Sequence, residues 1–316
     1  MRKTHRRVTF GPVTRSQREG DFEGRRPGGF LGLLRTARLH RYAAELRALR
    51  ELDVVHALFE ARGPDALACL AGRHYLWRGL GLRERLACAL FHYRFEQETF
   101  TRAYVDAVYR TGGLPLWRDE NDGHEFAIRL MVANDNLSEG ALSAVVFIDG
   151  QRVCVTSFSY VDAAHFGRPA GPLVFVARKQ SGRHPEHLKA FARAFKHTSP
   201  PYFCFAAVAG IARALGTREV AAIRHDSHPH YDREYGEVMR KSYDEFWRNF
   251  GAGELDGKAF RIGVPLEMGD ASEVSASHRT RARKRREDRL AVEKSACQAI
   301  RAELRAAAAE AGRDSL

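Results

Sequence analysis

The sequence predicts an α+β protein: a mixed, mostly antiparallel sheet with flanking helices, preceded by an N-terminal helical layer. Three observations carry this. Apolar residues recur at three- and four-residue spacing from Phe30 to about Gly113, as on the buried faces of helices. Past Gly112-Gly113 the pattern becomes strand-like in four successive runs, which is how an antiparallel meander reads. Thereafter helical and strand-like runs alternate to about Leu266.

Taken in order, residues 1–28 are rich in Arg and Gly and poor in large apolar side chains. They read as a disordered basic arm. Residues 29–123 form the helical region, interrupted at Gly63-Pro64, a strong stop. Residues 124–275 form the α/β region. It opens with "HEFAIRLMV" (His124–Val132), "GALSAVVFID" (Gly140–Asp149), "QRVCVTSFSYV" (Gln151–Val161) and "GPLVFVARK" (Gly171–Lys179). Asp149-Gly150 between the second and third runs is a hairpin signal.

Pro185 then opens a helix, "PEHLKAFARAFKH", because its fixed φ and missing N–H suit a first turn. After Ser199-Pro200-Pro201, "YFCFAAVAGIARALG" is a second helix that stops at Gly216. "REVAAIRH" (Arg218–His225) is a buried strand. "EVMRKSYDEFWRNFG" is an amphipathic helix with Met239, Tyr243, Phe246, Trp247 and Phe250 on one face. "KAFRIGVPL" (Lys258–Leu266) is the last strand. Residues 276–316 are a basic C-terminal helix or tail, with a thin apolar stripe of Leu290, Cys297, Ile300 and Leu304.

Composition bounds the partners. The 316 residues are 44% hydrophobic and 28% charged, with a formal net charge of +12. Such a chain folds, and its charge favours anionic partners. The five cysteines are scattered singly, which argues against a disulfide framework and points to a reducing compartment. The N-terminus lacks the apolar core of a secretion signal. The most apolar stretch, Phe203–Gly216, is short for a bilayer and is broken by Arg213. The expected location is the cytoplasm, with peripheral contact at the inner membrane.

The candidate chemistry is polar and clustered. His225, His228 and His230 follow a strand, at the edge where α/β ligands collect. Their spacing is that of a loop, with Pro229 inside, so no metal centre is expected there. They read either as the rim of a cleft, with His225 or His228 as a general base, or as a solvated loop. Glu139 precedes Gly140 at a strand entry. It is an acid/base candidate or an arginine partner. His92 and Tyr93 lie on a helix, as core or as pocket residues. The basic run Arg279, Arg281, Arg283, Lys284, Arg285 and Arg286 suits phosphates, either of nucleic acid or of anionic lipid. It lacks interleaved aromatics and a recognition-helix module, which ranks the membrane surface above nucleic acid. No defensible Ser-His-Asp spacing and no G-x-x-x-x-G-K-[ST] loop is present.

The order of elements resembles that of GNAT acyltransferases. The resemblance implies that two central strands part to admit the pantetheine arm of acyl-CoA, whose pyrophosphate binds at the following helix N-terminus. The matching loop is "ARKQSGRHPEH". It assigns cofactor binding to Arg178, Lys179, Ser181, Gly182 and Arg183, although its glycine spacing departs from the family motif. Trp247 stands where that family carries a thiolate-protonating Tyr, and Tyr243 is the phenol available one turn earlier.

A second resemblance spans about residues 74–295. "YLWRGLGLRERLACALFHYRFE", with Arg85 and His92-Tyr93, "NLSEGALSAVVF", "FGRPAGPLVFVARKQSG", "RAFKHTSPPYF", "SYDEFWRNFGA", "IGVPLE" and "SHRTRARKRRED" are together similar to the VirK/YbjX family of Gram-negative bacteria. That resemblance implies a role in the envelope stress response, in antimicrobial-peptide resistance or in virulence. Two functional readings stay open. One is an acyl-CoA-dependent acyltransferase at the inner face of the membrane, with His225, His228, Glu139 and Tyr243 as its acid/base groups and His92, Tyr93 and Trp247 lining its pocket. The other is a non-catalytic binding protein recruited to anionic membrane by its basic tail.

Overall fold

Asp-Gly pairs set the sheet. The computed structural model describes residues 41–72, 74–133, 137–182, 184–196, 198–266 and 276–306, the backbone alone over 276–279. Strands β1 (Leu114–Asn121), β2 (His124–Val132), β3 (Leu142–Ile148), β4 (Gln151–Asp162) and β5 (Pro172–Ser181) form an antiparallel meander. Asp122-Gly123 and Asp149-Gly150 close its hairpins with φ of 53°, 76° and 50°, 75°. Two consecutive positive φ values match the right-handed twist of the strands. The same device joins β7 (Gly253–Leu255) to β8 (Ala259–Gly263) through Asp256-Gly257. Strand β6 (Glu219–Ile223) pairs parallel with β5 and antiparallel with β8. The described sheet therefore runs β1-β2-β3-β4-β5-β6-β8-β7, an α+β architecture.

Helices α1 (Ala43–Arg50) and α2 (Asp53–Arg62) precede α3 (Leu82–Thr99), which packs on β4. A short α4 (Arg102–Val105) runs into a wider turn, Asp106–Arg110. Between β5 and β6 come α5 (Pro185–Ala194) and α6 (Pro200–Ala214). Helix α6 is apolar on nearly all sides and almost wholly buried, as such a helix must be. It packs against β3, β4 and β5, and a long helix, α9 (Ala276–Ala302), covers it. The described chain from Ala44 onward is one compact unit.

Four differences from the sequence reading have physical causes. Leu114–Asn121, placed in the helical region, is β1. Its Pro115 is tolerated because β1 is an edge strand. The helix read over Glu237–Gly251 is two, α7 (Gly236–Ser242) and α8 (Asp244–Arg248). They hinge at Tyr243, with φ −101° and ψ −66°. The C-terminal segment is no free tail over its described length. Val292, Ala296, Cys297 and Ile300 are buried against the domain, whereas Leu290 is exposed. Ser295 Oγ donates to Leu116 O across to β1 at 2.7 Å. The short strand β7 has no counterpart in the sequence reading. The basic arm, residues 1–28, lies outside the described residues, as do Arg183 and the Arg279 side chain.

Candidate functional site

The site begins where β5 and β6 separate. They pair only over Val174–Val176 and Val220–Ala222. At that point the β4–β5 register steps from Phe158↔Val176 to Ser157↔Arg178, leaving Ala177 as an extra residue. Such a bulge bends its strand and redirects the side chains beyond it. Strand β5 continues to Ser181 while β6 stops at Ile223, whose carbonyl accepts the Trp247 indole N–H at 3.0 Å. Trp247, expected to line a pocket, is fully buried and anchors the end of β6.

Side chains fill the parting. The Lys179 amide donates to Tyr243 Oη at 3.5 Å, and that oxygen lies 3.3 Å from His228 Nε2. Glu139 Oε1 stands 3.6 Å from both His228 Nε2 and His230 Nε2, while Arg178 Nε reaches Glu139 Oε2 at 3.2 Å. Glu139 is placed by its neighbour. Gly140 has φ +124°, and a Cβ there would lie 2.6 Å from the Phe158 amide nitrogen, so only glycine lets this loop lie on β4. The turn is stitched from outside by Leu76 N–H to Ser138 O at 2.7 Å, and the His225 turn by Arg78 N–H to Ser227 O at 2.9 Å. His74 completes the group. Its Nδ1 is 2.7 Å from Pro229 O and its ring stacks on His230 at 4.7 Å.

Three of the four expected acid/base residues, Glu139, His228 and Tyr243, thus converge. His225 is held elsewhere: Asp244 Oδ1 accepts its amide at 2.9 Å, and Asp244 Oδ2 lies 2.8 Å from its Nδ1. The sequence does not point to His74 and Arg78, which are remote in the chain, and gives His230 no acid/base role beyond the rim of the cleft. Among the described residues, the expected cofactor positions Arg178, Lys179, Ser181 and Gly182 do not converge on one anion position. Arg178 pairs with Glu139 and also reaches Gln180. Lys179 is half-buried with its ammonium 4.5 Å from the Phe246 ring centre, and desolvation holds that amine below its usual pKa. Ser181 ends β5 opposite Cys154, and the Gly182 amide donates to Val153 O at 2.7 Å.

His92 and Tyr93 belong to a different, interior cluster. His92 Nδ1 accepts the Tyr160 amide at 3.1 Å, and its Nε2 lies 3.0 Å from Glu96 Oε2. Tyr93 is buried beside it, its ring edge-on to His92. On the basic face of α9, Arg281, Arg283, Lys284 and Arg286 are exposed and Arg285 is half-buried. Arg283 pairs with Glu287 and Lys284 with Asp288, both at 2.9 Å.

Protonation follows from these contacts. Burial, then the neighbouring His230, Arg178 and His74, push the His228 imidazole down to about 3. Arg178 already neutralises Glu139, so the nearby carboxylate does not reverse this. His228 Nδ1 accepts the His230 amide N–H at 3.2 Å, so the neutral ring carries its hydrogen on Nε2. That Nε2–H faces Tyr243 and Glu139 as a donor, and the other lone pair is occupied. Burial, then the charge of Glu139, raise the Tyr243 phenol above its usual range.

His228 therefore stays neutral when folded and takes up a proton below its usual 6.5 only when unfolded. The unfolded state binds more protons between that value and about 3, so stability falls as pH drops through this window. The loss approaches about 1.4 kcal/mol per pH unit well below the upper limit. Urea unfolding across that range should show a shallower pH slope for His228→Gln than for the wild type. Identical slopes would remove His228 from the account.

No curated protein matches this sequence, and no solved structure matches this chain. A family model does match residues 31–288, a span that contains the described sheet, the Glu139–Arg178–His228–Tyr243 cluster and most of the basic face. The chain belongs to the family described as protein of unknown function (DUF535).

Proposed function

We propose that this chain is a VirK/YbjX-type protein of the bacterial envelope stress response that binds at an anionic membrane surface and does not transfer acyl groups. The single observation that carries the reading is the closed parting of β5 and β6. The Tyr243 hydroxyl takes up the Lys179 amide, and Glu139, Arg178 and His228 satisfy one another behind it. A thioester arm would have to displace this network, and the loop that would hold its pyrophosphate has turned Lys179 inward and bonded the Gly182 amide. The resemblance to GNAT proteins rests on the order of elements, and likeness of fold would not by itself bring the activity with it. The surface contact is the exposed start of α9. There Arg281, Arg285 and Arg286 have no acidic partner among the described residues. Each basic residue near an anionic leaflet contributes about 1 kcal/mol. No described helix is long and apolar enough to cross a membrane.

One observation favours acyl transfer instead. Asp244 orients His225 through Nδ1, which leaves Nε2 with its lone pair, the arrangement of a general base. The two readings separate in one experiment. Isothermal titration with acetyl- and long-chain acyl-CoA should give no heat at about 1 mM ligand. Sedimentation with phosphatidylglycerol vesicles should show binding that falls steeply with salt. It should also fall in the Arg281→Ala, Arg285→Ala, Arg286→Ala triple variant. Truncating α9 is no substitute, because its second half is core. Heat with acyl-CoA would favour the enzyme. Vesicle binding unmoved by the triple variant would refute the membrane contact.

A further inference from the structure

A second polar group lies at the start of α5, in "HPEH". We propose that His184, Glu186 and His187 form a binding site for a divalent transition-metal ion of the zinc class. One donor atom from each lies within 4.8 Å of the other two, the one group of three His, Cys, Asp or Glu residues so placed among the described residues. The sequence places no metal at the histidines after β6, and this trio is a different set.

The geometry is close to that of an open zinc centre. With metal–nitrogen bonds of about 2.0–2.1 Å, two ligands of a tetrahedral ion stand about 3.4 Å apart. Glu186 Oε1 and His187 Nδ1 are already 3.0 Å apart. The two imidazole rings are nearly perpendicular, 87° between planes with centroids 5.9 Å apart. His184 Nε2 faces the Gln151 side-chain amide at 3.3 Å, so its lone pair accepts that N–H, and a metal would take the place of this donor. Pro185 fixes the first turn of α5, and so sets the spacing of the residues on either side of it. Glu186 is exposed and the histidines half-buried. The remaining closure, at most about 1.4 Å, therefore needs only side-chain rotation.

Two imidazoles and one carboxylate suit zinc and its neighbours better than magnesium or calcium. Three protein ligands leave a position open. Glu186 and His187 also line a cavity of ≈ 340 Å³ with His124, Lys189 and Arg193. The open position would take water or an anion drawn by Lys189 and Arg193.

The test is calorimetric titration of the full chain with Zn²⁺ against a competing chelator, with Co²⁺ absorption reporting tetrahedral geometry. The expected result is one ion per chain with Kd of about 10 µM or tighter near neutral pH, weakening as pH falls through the imidazole range. Glu186→Gln and His187→Gln, each checked for unchanged circular dichroism, should weaken binding at least about tenfold, the effect of losing even an outer-shell partner. Weaker binding in the wild type, or an affinity that neither variant moves, would overturn the site.

Discussion

Glu96→Ala is expected to destabilise the protein by about 3–5 kcal/mol, the usual result of removing one member of a buried charged network. Glu96 and His92 are fully buried. The Glu96 carboxyl accepts the Tyr104 hydroxyl at 2.8 Å and the Tyr109 hydroxyl at 2.6 Å, and His92 Nε2 approaches it at 3.0 Å. Because His92 Nδ1 takes the Tyr160 amide, its hydrogen sits on Nε2, close to Glu96 but without a hydrogen bond to it. Deleting the carboxyl strands two phenol donors where water cannot reach and removes the charge beside His92. Burial, then the charge of Glu96, lift the Tyr104 and Tyr109 phenols well above their usual range, so neither ionises in its place. Glu96→Gln keeps an acceptor but turns an amide N–H toward donors, and should lose about 1–3 kcal/mol. Urea unfolding measures both. A loss below about 1 kcal/mol for the alanine variant would mean that the cluster is not closed as described.

Gly210→Ala is the second large effect, and it runs against helix propensity. In an isolated helix the change gains about 1 kcal/mol. Here α6 and α9 touch backbone to backbone. A Cβ at Gly210 would lie 2.3 Å from Glu293 O, 2.9 Å from Ala296 Cβ and 3.0 Å from Cys297 N. Helix α9 must move, at an expected net loss of about 3 kcal/mol, the upper part of the overpacking range. Limited proteolysis should cut α9 sooner in the variant, and vesicle binding should change with it, since the same helix carries the basic face. A variant as stable as the wild type would show that the two helices do not pack at this distance.

The fold was legible where local chemistry decides it. The meander follows from strand-like runs separated by turn residues, and α6 from its all-apolar composition. Asp122-Gly123 and Asp256-Gly257 carry the same hairpin signal as Asp149-Gly150. Reading them would have recovered β1 and β7. The α7–α8 break was not legible, because Tyr243 and Asp244 continue an amphipathic pattern. What turns them is the pairing of Asp244 with His225, 19 residues back.

The candidate site divides in the same way. Residue type singled out Glu139, His228 and Tyr243, and a glycine next to an acid marked the turn that places Glu139. The sequence could not supply their protonation or their partners. His228 reads as a base until its Nδ1 is seen to accept the His230 amide. Arg178 and Lys179 read as a phosphate grip until one is found on Glu139 and the other on Phe246.

By itself, then, the sequence determined the class of fold, most of its elements and the residue types able to do chemistry, because period, turn residues and burial tendency are properties of short stretches of chain. Only the tertiary structure decided which of those groups meet, which lone pairs remain open and whether the parting between β5 and β6 is vacant. Those depend on hydrogen bonds between residues as far apart as His74 and Pro229, and packing, not proximity along the chain, brings such residues together.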